Sequence, residues 1–201
     1  MTTDHAHTPL LIGLIGNAGA GKDTVAAFLE DEHAFERIGF ADPMLDMVLA
    51  LFNAAGVDGA WAIERSLKEL ATPVLGVSYR RLAQTLGTQW GRETITADLW
   101  LRIAGHALHQ CRLQQHSVVV SDVRFANEAA WIKAQGGVLV RVQRHGLQPV
   151  APHVSETELA GIAHDHHLDN NGSLAALFDQ VDELIDHLRR TQAGARTGDP
   201  A

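Results

Sequence analysis

The stretch GNAGAGKDT, Gly16–Thr24, decides how the rest of the chain is read. It closes a short apolar run, LLIGLIG (Leu10–Gly16), and precedes Val25, Phe28 and Leu29 at helical spacing. An unbroken apolar run of that length suits a strand buried on both faces. A glycine-rich turn between such a strand and a helix aims several backbone N–H groups at one point, with the positive end of the helix dipole behind them. Glycines serve where a side chain would block an approaching phosphate, or where the backbone needs unusual dihedrals. Lys22 then brings an ammonium to the outer phosphates. No G-x-G-x-x-G can be read through the turn, which argues against a dinucleotide fingerprint.

One position departs from G-x-x-x-x-G-K-[ST]. Asp23 stands where Ser or Thr is expected, and Thr24 follows one residue late. A carboxylate beside a polyphosphate repels it unless a cation lies between them. Magnesium takes oxygen ligands and keeps several waters, so Asp23 can hold such an ion directly or through water. Thr24 can do so instead after a small shift of register, or Asp23 can simply favour the helix N-terminus. These readings stay open at the level of the residues.

Outward from the loop, FERIGFAD (Phe35–Asp42) reads as a second strand. In the helix that follows, Asp42 can cap and Pro43 can occupy the first turn. Leu45, Val48, Leu49 and Phe52 form its stripe and Gly56 its stop. A short helix is expected around Ile63 to Leu70, another from Ser78 to Gly87, and a third from Asp98 to about Cys111. The third carries Trp100, Ile103, Ala104, Ala107, Leu108 and Cys111 on one face. SVVVSDVRF (Ser117–Phe125) supplies a third strand, VLVRV (Val138–Val142) a fourth, and HHLDNN (His166–Asn171) a fifth. Between the third and fourth, Asn127 is expected to cap a helix that Gly136 and Gly137 end. Ser173 caps a last helix with Leu174, Leu177, Phe178, Val181, Leu184, Ile185 and Leu188 in register, and the tail from Thr191 reads as disordered. Apolar strands alternating with amphipathic helices predict an α/β fold of three layers around a parallel sheet of about five strands. Ligands of such sheets bind beyond the carboxyl ends of the strands.

Asp122 falls at such an end, with Arg124 two residues on. In phosphate-loop proteins a carboxylate there organises magnesium or accepts a proton; otherwise it is a helix-entry aspartate paired with Arg124. Arg80 and Arg81 stand four and three residues before Gln84, so each can share a helix face with it. Guanidinium groups neutralise and orient phosphate, and Gln84 can read a base edge with its paired donor and acceptor. AHDHHLDN (Ala163–Asn170) lacks a matching ligand pair elsewhere and reads as an exposed strand or loop rather than a metal centre.

Composition bounds the rest. The 201 residues favour one domain, and 46% hydrophobic against 20% charged residues allow a proper core. A formal charge of −8 gives no general hold on nucleic acid or an anionic membrane, so neither is an expected partner. The single cysteine, Cys111, excludes an internal disulfide and reads as a small buried residue. Neither a signal-peptide pattern nor an apolar run of membrane-spanning length is present, which leads to a cytoplasmic expectation, the host cytoplasm for a phage-encoded chain.

GNAGAGKDT, FADP, YRRLAQTLGTQWGRE, SDVRFANEA, HVSETEL and LDNNGSLAALF occur in that order. Together they resemble the bacteriophage-type deoxynucleoside monophosphate kinases, from about Ile12 to Leu184. The resemblance implies an adenylate-kinase-like fold and transfer of the ATP γ-phosphoryl group to a deoxynucleoside monophosphate. It implies a single kinase domain over residues 1–190, with a helical acceptor-binding insertion at about 42–112, a short lid at about 144–158 and the tail 191–201. ATP and Mg2+ would be the cofactors, and a homodimer is compatible with it. Gly16, Asn17, Ala18, Gly19, Ala20, Gly21, Lys22, Asp23 and Thr24 would meet ATP, with Asn170 and Gly172 in the turn beside its base. Asp42, Arg80, Arg81, Gln84, Trp90, Arg92 and Arg124 would face the acceptor nucleotide. Lys22, Arg81, Asp122 and Arg124 would be catalytic, and Asp23, Thr24 and Asp122 would attend the metal. Adenylate kinase itself has a fuller lid. Here that stretch holds only Arg144 as an obvious cation, so water exclusion would fall to Arg80 or Arg81. A kinase for another small molecule, such as dephospho-coenzyme A, and a non-catalytic nucleotide sensor are the competing readings.

Overall fold

The computed structural model describes residues 8–146 and 161–197. In chain order it contains β1 (Leu11–Ile15), α1 (Lys22–His33), β2 (Phe35–Ile38), α2 (Asp42–Ala54), α3 (Ala60–Ile63) and α4 (Tyr79–Gln84). A π-helical stretch, Thr85–Ile95, follows, and then α5 (Leu99–Leu113), β3 (Ser117–Val120), α6 (Ala126–Ala134), β4 (Val138–Gln143), β5 (His166–Asp169) and α7 (Leu174–Thr197). The chain divides into two compact units, Met1–Gly39 with Ala107–Ala201, and Phe40–His106.

The first unit is built on a five-stranded sheet in the order β2-β3-β1-β4-β5. Every pairing is parallel. Strand β1 lies inside the sheet with all five residues buried, which is why its sequence shows no polar alternation. Side chains alternate between the two faces. Ile12 and Leu14 join Val119, Val140, Val142 and Leu168 in one cluster with Val25 and Leu29 of α1 and Leu177, Val181 and Ile185 of α7. The Phe28 and Phe178 rings stack 4.0 Å apart between those two helices. On the opposite face Ile132 of α6 lies over Gly13. Helices thus cover both faces, and each fully buried aliphatic side chain contributes about 1.5–3 kcal/mol. Because the strands are parallel, their carboxyl ends share one edge of the sheet.

The second unit is helical around its own core of Val48, Phe52, Val57 and Ala62, with Leu45, Leu49, Tyr79, Leu82 and Leu86 packed against it. It begins at Phe40 and ends at His106, within α5, against about 42–112 expected for the insertion.

Several expectations need correction. The helix proposed for Ile63 to Leu70 is instead α3, one turn earlier. It ends where Glu64 turns extended at ψ 123°. The helix proposed for Ser78 to Gly87 is α only as far as Gln84 and then widens to the π form. Gly87 and Gly91 are buried in that stretch, and the Trp100 indole N–H donates to the Gly87 carbonyl at 2.8 Å, so the widened turn has a partner outside its own helix. Ala41, not Asp42, takes the cap position of α2, with Asp42 and Pro43 inside its first turn. Asn127 is not a cap either. Phe125 takes the cap position of α6, and Glu128, three residues on, accepts from the Arg124 and Phe125 amides at 2.8 and 3.1 Å. Ser173 does cap, accepting from the Ala176 amide at 3.2 Å. Cys111 is half-buried rather than fully buried; burial, with Glu36 nearby, pushes its thiol pKa up. The expected disordered tail is helical through Thr197.

Candidate functional site

The loop Gly16–Gly21 leaves the end of β1 and enters α1. Gly21 holds the position before the helix at φ 105°, so the first amides of α1 meet no capping side chain. Gly16 is at φ 152°, and a Cβ there would collide with the Val142 carbonyl oxygen. No other residue type fits that approach of β4 to the loop. Asn17, Ala18 and Gly19 are exposed at the tip, while Ala20 is buried. The Lys22 ammonium folds back over the loop and donates to the Gly16 carbonyl at 2.6 Å and the Asn17 carbonyl at 3.1 Å. A cation is therefore tethered over the loop.

Asp23 and Thr24 lie exposed in the first turn of α1. The Asp23 carboxylate is paired with the guanidinium of Arg37 on β2. Arg37 also donates through Nε to the hydroxyl of Ser121 at 3.0 Å. Neither Arg37 nor Ser121 was singled out from the sequence. A charged residue next to the carboxyl end of a strand was the available signal, since that is the edge where ligands bind.

Strand β3 ends at Val120, so half-buried Asp122 and exposed Arg124 stand in the turn beyond it rather than on the strand. Glu128, 2% exposed, fixes the backbone of this turn through its two amide bonds. It too escaped the sequence reading. Beyond β5, the Asn170 side chain donates to the Ala20 carbonyl at 2.8 Å, and its amide donates to the Gln143 carbonyl at 2.8 Å. Asn170 thereby pins the phosphate-type loop to the ends of β4 and β5. Gly172 lies exposed in the same turn. Gly16–Thr24, Asp122, Arg124 and Asn170 therefore meet at one edge of the sheet, and Arg37 joins them. Arg144 is exposed just past β4, whereas most of the expected lid, and the HVSETEL motif with it, lies outside the described residues.

The other expected acceptor residues belong to the second unit. Arg80 is paired with Glu69. The Arg81 amide donates to the Ser78 hydroxyl at 3.2 Å, which starts α4 and leaves the Arg81 side chain exposed, as is Gln84. Trp90 is 40% exposed and tilts against buried Trp100 with ring centres 6.4 Å apart. Asp42 is exposed and Arg92 half-buried.

Two other features of the first unit lie apart from this edge. A shallow apolar hollow between α6 and β4 is lined by Ala126, Ala129, Ala130, Lys133, Leu139 and Ile162. Its one cation, Lys133, is bound to Asp165 at 2.8 Å, so it offers little to a phosphate. Burial raises the Asp165 carboxyl, but bonds from the Leu139 amide and Lys133 outweigh it and hold the pKa below its ordinary value. Burial depresses the pKa values of His164 and His166, helped by Arg141 at the first and His187 at the second. Among the described residues no group of three or more histidine, cysteine or acidic side chains could hold a metal. Nor is any described helix long and apolar enough to cross a membrane.

A parallel sheet in this order, with a glycine-lysine loop at the tip of its inner strand, defines the class of phosphate-loop proteins. Comparison with known proteins narrows the class. Residues 61–181 match the profile of the deoxynucleotide monophosphate kinase family. A protein of Acanthamoeba polyphaga mimivirus named "Putative deoxynucleotide monophosphate kinase" is 32% identical over 191 residues, covering 89% of this chain and 97% of that one. The deoxynucleotide monophosphate kinase of Escherichia phage RB69 is 27% identical over 109 residues, 54% of this chain and 45% of that one. Among solved structures, a gluconokinase from Sinorhizobium meliloti 1021 shares the fold at a TM-score of 0.51 and 14% identity, over 94% of this chain and 98% of that one. This chain belongs to the deoxynucleotide monophosphate kinase family.

Proposed function

We propose that the chain transfers the γ-phosphoryl group of ATP to a deoxynucleoside monophosphate, giving the diphosphate and ADP. The observation that carries the reading is the Gly16–Thr24 loop, with the Lys22 ammonium held over it by the Gly16 and Asn17 carbonyls. The names of the mimivirus and phage relatives support the same acceptor class.

Phosphoryl transfer of this kind needs positioning and charge neutralisation more than covalent help from the protein. The loop amides and the first turn of α1 receive the polyphosphate. Lys22 exchanges its carbonyl partners for phosphate oxygens and follows the charge as it moves to the leaving group. On the first unit Arg124 neutralises and orients the acceptor phosphate; Asp42, Arg80, Arg81, Gln84, Trp90 and Arg92 are assigned to the acceptor nucleotide by the family resemblance alone. That phosphate is already ionised at neutral pH, so Asp122 has no proton to remove and serves to order the water around the reacting groups. Asn170 and Gly172 border the ATP base.

The oxygen donors at this edge, Asp23, Thr24 and Asp122, suit a hard cation such as magnesium. When bound, Mg2+ would neutralise charge on the outer phosphates. Thr24 and Asp122 are the simplest holders, since the Asp23 charge is already met by Arg37.

A coupled assay with ATP, Mg2+, each of the four common dNMPs and dephospho-coenzyme A tests the reading. Turnover of at least one dNMP is expected. Turnover of dephospho-coenzyme A alone, or ATP binding with no acceptor used, would replace it with one of its competitors.

A further inference from the structure

An aspartate next to the loop lysine creates an electrostatic difficulty, and a residue outside the loop answers it. On β2 side chains alternate, and Phe35 points into the cluster shared with α1. Arg37, two residues on, emerges on that same face, one pleat nearer the edge where α1 begins. Its planar guanidinium is held at both ends. Nε donates to Ser121 at 3.0 Å beyond β3, and Nη2 pairs with Asp23. The Arg37 side chain is 32% exposed against 86% for Asp23, and the arginine has Ser121 as a second partner.

We propose that Arg37 is the counter-ion that makes an aspartate tolerable in this loop. By cancelling the Asp23 charge it lets polyphosphate seat on the neighbouring amides before any divalent ion arrives. Arg37 is thus a positioning residue that acts through Asp23 and touches neither substrate. The proposal rests on the reading of Gly16–Thr24 as the ATP site. It explains how the loop keeps its function with a carboxylate where a hydroxyl is expected: the compensating charge is supplied by the adjoining strand.

The test is a double-variant cycle read by calorimetric titration of ATP in EDTA, at fixed ionic strength, with thermal melts to establish folding. Removing the cation that neutralises a carboxylate one residue from the loop lysine should weaken ATP binding about tenfold in Arg37→Gln. Asp23→Asn in the same chain should restore affinity to within about twofold of Asp23→Asn alone, and adding Mg2+ should recover most of the Arg37→Gln loss. Arg37→Lys keeps the charge and should stay within about threefold of the wild type, which preserves the test if the glutamine variant folds poorly. A double variant as weak as Arg37→Gln would mean that the guanidinium binds phosphate itself, and would overturn the proposal. Unchanged affinity in folded Arg37→Gln, or a tenfold loss in folded Arg37→Lys, would do the same. A wild type that binds no ATP would instead overturn the reading of the loop, and this proposal with it.

Discussion

At the scale of single residues, the account assigns different work to side chains of similar charge. Lys22→Ala should lower kcat at least about a hundredfold, the loss typical of removing one group that stabilises a transition state, with the melting curve unchanged. Arg81→Ala should raise KM for the dNMP far more than it weakens ATP binding. Equal and mild effects of the two on both substrates, in steady-state assays and ATP titrations, would show that the pockets are misassigned. Glu128→Ala should destabilise the fold by about 1–3 kcal/mol in denaturant, because two amides lose a buried acceptor. The lysine and its glycines were legible because their spacing has a single mechanical purpose. Glu128 and Arg37 were not: one charged residue in a short strand or at a helix start makes no pattern, and its partners arrive from distant sequence. Asn170 was legible as a turn residue beyond the fifth strand, but its bond to Ala20 was not, since 150 positions separate them.

At the scale of elements, periodicity located the strands well and failed where a helix leaves the α repeat. The π-helical stretch Thr85–Ile95 could not be read from a 3.6-residue period, and its bond from Trp100 is a tertiary contact. The edge strand β5 offers a test by pH. His164 and His166 both have depressed pKa values, so the unfolded chain, with histidines near 6.5, takes up protons first as the pH falls. The stabilisation they give is complete above pH 6.5 and is lost as the pH drops through their lowered values. Denaturant midpoints measured from pH 8 to pH 5 should fall below pH 6.5, and His166→Gln should flatten part of that fall. Since both side chains are partly exposed, the effect is modest. A flat profile in the wild type would contradict it. Asp165, also depressed, adds a further loss only below pH 3.8, its ordinary value.

At the scale of the molecule, the parallel sheet gathers the carboxyl ends of five strands on one edge, and the loop, Arg37, Asp122 and Asn170 meet there for that reason. This much followed from the alternation of apolar strands and amphipathic helices. The boundaries at Phe40 and His106 did not, because α5 runs through the second without a break in its apolar stripe. Nor did the helix through Thr197, whose last residues lack an apolar register to announce it. With a net charge of −8, the chain attracts a polyphosphate only where amides, Lys22 and arginines outweigh the surrounding acid. The central claim is therefore local, and the most direct measurement is a crystal structure with a non-hydrolysable ATP analogue, Mg2+ and a dNMP. Triphosphate is expected on the Gly16–Thr24 amides, with Lys22 moved from the Gly16 carbonyl onto its outer oxygens. An empty loop, with Lys22 still bound to Gly16 and Asn17 at saturating nucleotide, would contradict it.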